Sequence, residues 1–367
     1  MLKNYFLFSK VDPSINYDLL QSKTMDWLRF PLMVLVMLIH VDMQSLLDMK
    51  PSVFAYGIFF TVTQVIARIA VPLFFIISGY YFFYGKGKTP VFNKDTYLSK
   101  LKKRAKTLLI PYLFWNLVIC CILIPYYVLA GRIDLSFSTI ASAFFCFGDT
   151  GCPIAFQFWF IRDLMIVVIV SPIIYILIRY LKIFSIILLF LFWTSPLSIE
   201  YLPKTAIFFF SLGAYFSVNN LNIIKTIRVL PKNLVFLITF VLMVADLLIN
   251  SMPMDIAHGV RTNLYLHNIF LLFGITSALL LVAKGIETSK LKTNKLLASC
   301  SFFMFAIHPL PLVMLGKIAV KVLPHNDLTF LINYFVPVIV VAVISVVLYK
   351  FLKRYFPRLT NIITGSR

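Results

Sequence analysis

Ten apolar runs, each near the length that crosses a lipid bilayer, leave this chain few ways to fold. They cover 27–47, 57–83, 108–130, 157–178, 183–199, 204–218, 233–250, 264–283, 298–320 and 330–352. A hydrocarbon core about 30 Å thick takes about 20 residues at 1.5 Å each. Backbone groups in lipid must be satisfied within the spanning element, so helices are expected; the ten-residue alternation of a membrane barrel is absent. The expected fold class is all-α, a polytopic transmembrane helix bundle of about ten helices. The fifth and sixth runs are short, and the break between them is the least sharply marked.

Composition agrees with this reading. Only 13% of the 367 residues are charged, against roughly 25% in soluble domains. With 60% hydrophobic residues, 37 of the side chains Phe, much of the surface must face lipid. The N-terminus shows no signal-peptide pattern, so the first run is expected to be an uncleaved span.

Basic residues outnumber acidic ones by 34 to 14, a net charge of +20. On a soluble protein this excess would suggest nucleic acid. Here no basic stripe is interleaved with exposed aromatics, and a nucleic-acid partner is excluded. The bases sit in short segments between apolar runs, as positive-inside loops do. Counting alternate loops puts 25 of the 34 on one side, eight of them in the stretch 85–107. The opposite loops carry Lys50, Arg132, Lys204 and Arg261. Both termini are therefore expected to be cytoplasmic, which an even number of spans allows. The expected organisation is a cytoplasmic tail over 1–24, a transmembrane domain over 25–352 and a basic cytoplasmic tail over 353–367.

Ionisable groups inside apolar runs cost several kcal/mol each and usually face a bundle interior or cavity. Arg29 and His40 lie in the first run, Arg68 in the second, Arg162 and Asp163 in the fourth, Asp246 in the seventh and His308 in the ninth. Arg29 and His40 are eleven residues apart, about three turns, so both point to one face roughly 16 Å apart. An arginine at the cytoplasmic rim suits an anionic, phosphate-bearing group. A histidine deeper in the same helix suits proton transfer. Each also has a plain reading: Arg29 as an interfacial anchor, His40 as a satisfied interior histidine. Arg68 needs a partner or water; Pro72 frees a carbonyl nearby, and Gly79 permits close approach of a helix or ligand. No base has a visible claim on Ser78 as a nucleophile. Arg162 and Asp163, adjacent and about 100° apart around the helix, are each expected to pair with another helix. His308 precedes Pro309, which loosens the turn before it. His258, His267 and His325 occupy ordinary positions in or near outer loops.

Five cysteines complete the inventory. Cys146 and Cys152 bracket FGDTG in an outward loop and read equally as a disulfide or as two thiols. Cys120, Cys121 and Cys300 are packing residues in spans. No Cys/His grouping has metal-ligand spacing, so no metal is expected.

Together the motifs MDWLRFPLMVLVMLIH, RIAVPLFFIISGYYF, FQFWFIRDLMIVVIVSPI and SCSFFMFAIHPLPLV resemble the acyltransferase 3 family, multipass membrane enzymes that acylate carbohydrates and lipids. The resemblance runs from Met25 to about Leu352. It implies a multi-pass protein of the bacterial inner membrane that moves an acyl group from cytoplasmic acyl-CoA, most simply acetyl-CoA, to an extracytoplasmic hydroxyl. By it, His40 is the catalytic histidine and Arg29 its motif partner. Arg68, Phe75, Ser78 and Gly79 lie where the family binds the donor; Arg162 and His308 match motif positions without an assigned role. The implied acceptor is a cell-envelope glycan or lipid-linked saccharide. The competing readings are a transporter or flippase for a polysaccharide intermediate and a noncatalytic partner of a polysaccharide synthase.

Overall fold

The computed structural model describes residues 11–42, 46–85, 92–129, 144, 155–197, 199, 202–250 and 264–365. Cys146, Cys152, His258 and the outward loop around Asp149 lie outside the described residues. Among the described residues all regular structure is helical.

Helix α1 is Tyr17–Ile39. Helix α2 comprises Val53–Phe60, a π-helical turn Thr61–Ile66, a tight turn Ala67–Ile69 and Ala70–Phe83. Helix α3 joins Lys94–Arg104, a π-helical turn Ala105–Leu109 and Ile110–Leu129. Then follow α4 (Trp159–Leu181), α5 (Ile183–Thr194), α6 (Lys204–Val218), the short α7 (Ile223–Ile227), α8 (Lys232–Asn250) and α9 (Leu264–Glu287). The chain ends with α10 (Lys295–Ile307), α11 (Pro309–Val322), α12 (Asp327–Tyr355) and α13 (Pro357–Thr364).

Each of the ten apolar runs contains a helix among the described residues, with informative shifts. Among the described residues α2, α3, α4, α8, α9 and α12 are long and apolar enough to cross a membrane. The ninth run is a broken span: α10 and α11 meet at 67° around His308, and count as a seventh crossing if taken together. The cause is Pro309, which has no N–H for the carbonyl four residues back. Helices α5 and α6 have 12 and 15 residues, too few to cross alone at 1.5 Å per residue.

The first helix is displaced from its expected place. It starts ten residues early, where Asn16 caps it by accepting from the Leu19 N–H, and Leu20, Gln21, Thr24 and Met25 are buried against the bundle. It stops at His40, whose N–H turns to the Met37 carbonyl in a tighter, three-residue closure. Helix α1 is central, packing against α2, α9, α10 and α12. The tail predicted from 353 onward is also structured. Helix α12 runs to Tyr355 and α13 folds onto α3, where the Trp115 Nε1–H donates to the Ile363 carbonyl at 2.9 Å.

The closest helix pair is α2 with α6. A Cβ on Gly79 would sit 2.0 Å from the Phe210 carbonyl oxygen, and one on Gly213 2.0 Å from that of Ile76. Two glycines facing each other let the backbones touch, as small residues do between membrane helices.

Candidate active site

The arginine and histidine of α1 open into one cavity of about 610 Å³. Its wall also includes Ser78, Tyr81, Lys100, Lys103, Arg104, Gln157 and Phe160. The two ends differ in chemistry. At the Arg29 end, basic side chains converge from two helices. Arg29 is 3.4 Å from Asp26. From α3, Lys100 bonds the Phe82 carbonyl and sits 5.0 Å from the Phe82 ring centre, while the Arg104 guanidinium is 5.7 Å from the same ring. These cation–aromatic contacts hold the charges against the last turn of α2 rather than in open solvent.

At the other end two helix C-termini meet, each capped by a histidine ring. His40 Nδ1 lies 2.7 Å from the Val36 carbonyl, the acceptor that its own N–H would use had α1 continued. His308 Nδ1 lies 2.8 Å from the Phe305 carbonyl, which Pro309 leaves without a backbone donor. The next carbonyl, Ala306, accepts from Gln157 Nε2 at 3.0 Å. Thus the orphan acceptors of a broken helix are satisfied by side chains that build the site. The two rings touch: His308 Nε2 is 3.3 Å from His40 Nδ1, with ring centres 5.1 Å apart. Phe156 packs on the other side of His40 at 5.2 Å.

Partners assign the tautomers. A carbonyl only accepts, so each histidine carries its proton on Nδ1. His308 Nε2 is then a lone pair that shares the His40 Nδ1–H with Val36, and His40, whose ring borders the cavity, keeps a lone pair on Nε2. His308 is fully buried, while His40 is half-buried.

The remaining sequence candidates divide. Ser78 lines the cavity; Arg68, Phe75, Gly79 and Arg162 are not among its lining residues. Arg68 turns back along α2 to Gln64 Oε1, 3.1 Å from its Nε. Phe75 is buried against the Phe160 ring at 4.7 Å. Gly79 serves the α2–α6 contact. Arg162 and Asp163 bond each other at 2.9 Å, a contact the sequence reading had not drawn; the long guanidinium arm folds back across the 100° between neighbours. Sequence reasoning missed Lys100, Lys103 and Arg104, which it counted as loop charge, and Gln157, whose only signal is a lone polar residue inside FQFWF. It also left His308 unpaired with His40.

A bundle of apolar helices around a cavity lined by basic side chains and by the imidazole of His40 defines a multi-pass membrane protein. The chain belongs to the acyltransferase 3 family: the family's acyltransferase-domain model matches residues 22–350. It is also similar to the succinoglycan biosynthesis protein ExoH of Rhizobium meliloti (strain 1021), 29% identical over 167 residues. That alignment spans 42% of this chain and 42% of ExoH, less than half of either. No solved structure matches the chain.

Proposed function

We propose that this protein is an integral membrane O-acyltransferase, with acyl-CoA as donor and acetyl as the acyl group. The acceptor is a hydroxyl of an extracytoplasmic glycan or lipid-linked saccharide, a class supported by the polysaccharide named in ExoH. The observation that carries the reading is the shared cavity of Arg29 and His40.

In this reading the basic end faces the cytoplasm, with both termini, as the 25 of 34 bases on that side favour. Arg29, Lys100, Lys103 and Arg104 hold the phosphates of the donor, Arg29 through its planar fork. The eleven residues from Arg29 to His40 correspond to roughly 16 Å, the order of an extended pantetheine arm. The thioester then rests near His40. His40 Nε2 takes the acceptor hydroxyl proton as that oxygen attacks the thioester carbonyl. The tetrahedral adduct collapses, the C–S bond breaks, and the thiolate leaves with the proton returned from the imidazolium. Products are an O-acyl ester and free CoA. The Val36 carbonyl and the C-terminal end of α1 stabilise positive charge on His40 as it develops. Gln157 offers its second amide N–H to the oxyanion.

The test is acyl transfer by purified protein in detergent, with labelled acetyl-CoA and a saccharide acceptor. His40→Ala is expected to lower turnover by about 10²- to 10⁴-fold with insertion unchanged. A fully active variant overturns the assignment. Envelope glycans from cells lacking the protein are expected to lose the mass of one acetyl group per modified sugar. Transport of saccharide without acyl-CoA would favour the flippase instead.

A further inference from the structure

We propose that His308 is a positioning residue for His40, and that Pro309 sets its orientation. The inference rests on the reading of His40 as the base. His308 is fully buried and is not a lining residue of the cavity. What it touches is the base.

The argument is a chain of donors and acceptors. Pro309 has no N–H, so the Phe305 carbonyl, four residues earlier, lacks its helical donor. In a fully buried turn that acceptor must be satisfied. The His308 ring does so with Nδ1 at 2.8 Å. The proton of neutral His308 is thereby held on Nδ1, and Nε2 becomes an acceptor. That acceptor lies 3.3 Å from His40 Nδ1. The His40 N–H is shared between this lone pair and the Val36 carbonyl at 2.7 Å. Both acceptors demand the same tautomer of His40, the one whose Nε2 is free to take a proton.

Val36 alone would select that tautomer; His308 contributes the orientation. A half-turn of the His40 ring about its last side-chain bond puts Cδ2–H where Nδ1–H was and carries Nε2 away from its position. With Val36 alone the flip costs one bond; with His308 it costs both. The opposite tautomer of His308 is excluded as well, because its Nε2–H would oppose the His40 Nδ1–H. Second partners of this kind fix the ring orientation of histidine ligands in metal sites, where their loss typically costs 10- to 100-fold in affinity or activity.

The experiment uses the full-length protein in detergent with ¹⁵N-labelled histidine. His40 resonances are assigned by their absence in His40→Ala. In the wild type they are expected to report protonated Nδ1 and bare Nε2. In His308→Phe the His40 ring is expected to populate more than one state, and kcat to fall about 10- to 100-fold. KM for acyl-CoA should stay within about twofold, since lost positioning acts on the transition state and not on donor binding. His308→Gln, whose side-chain carbonyl can accept from His40, should recover part of kcat. Pro309→Ala returns an N–H to Phe305, releases the His308 ring and should shift the His40 resonances in the same direction. A His308→Phe protein with one unchanged His40 state and unchanged kcat overturns the proposal, as does a loss confined to KM. Wild type that shows the predicted His40 state but transfers no acyl group sinks the function reading instead and leaves the positioning intact.

Discussion

Among the described residues, interior histidines meet side chains of other helices in two places, and the two are built differently. Between α8 and α9, His267 Nδ1 lies 2.8 Å from Asp246 Oδ2, and the carboxylate is only 1% exposed. At the α1–α10 junction, His40 has carbonyl and imidazole partners and its ring borders the cavity. The first arrangement joins a ring to a buried carboxylate across two helices, and neither residue lines the large cavity. Its Nδ1–H gives that buried carboxylate a donor from the neighbouring helix. The second satisfies helix ends and keeps one lone pair in reserve. A buried histidine therefore gains a chemical role from what its other nitrogen faces, not from burial alone.

The comparison can be broken most directly by exchanging losses. His40→Ala should remove transfer by the factor given above, whereas His267→Ala should leave kcat within about twofold. If His267→Ala also abolishes turnover in folded protein, the contrast between the two histidines is lost. The next effect is on stability. His267→Ala takes a partner from a carboxylate buried to 1% exposure and should cost about 1–3 kcal/mol in thermal or denaturant unfolding. His40→Ala, bordering a cavity, should cost less.

At the other end of the site the expected change is in binding. Arg29→Ala removes a charge-assisted contact worth about 1.5–3 kcal/mol, about 10- to 100-fold in KM for acyl-CoA, with a smaller change in kcat. A variant with unchanged KM would remove the donor phosphates from this rim. The smallest effect concerns α13. Gly365 lines the cavity with φ +68°, and a Cβ there would lie 2.3 Å from the Thr107 carbonyl oxygen. Gly365→Ala should loosen the docked tail by about 1 kcal/mol and raise KM a few-fold. Protease protection of the C-terminus measures the first and steady-state kinetics the second.

How much was legible beforehand differs by region. The ten helical runs were, because apolar length is a local property. So was the break at Pro309, which follows from one missing N–H. Helix α1 was shifted because its first turns are polar by composition yet buried by neighbours, as Gln21 and Thr24 show. The donor residues proposed on α2 were separated by rotation around the helix: Ser78 faces the cavity, while the adjacent Gly79 meets Phe210.

The amino-acid order alone determined that Arg29 and His40 share a face, because eleven residues make three turns of any α-helix. It also determined that the Phe305 carbonyl would need a new donor. Only the tertiary structure decided that His308, 268 positions away, supplies the partner of His40, that Gln157 caps the same break, and that the α3 bases turn inward. Periodicity within a helix is written in covalent geometry, whereas the meeting of two helices depends on which small side chains let their backbones close, and no single segment carries that information.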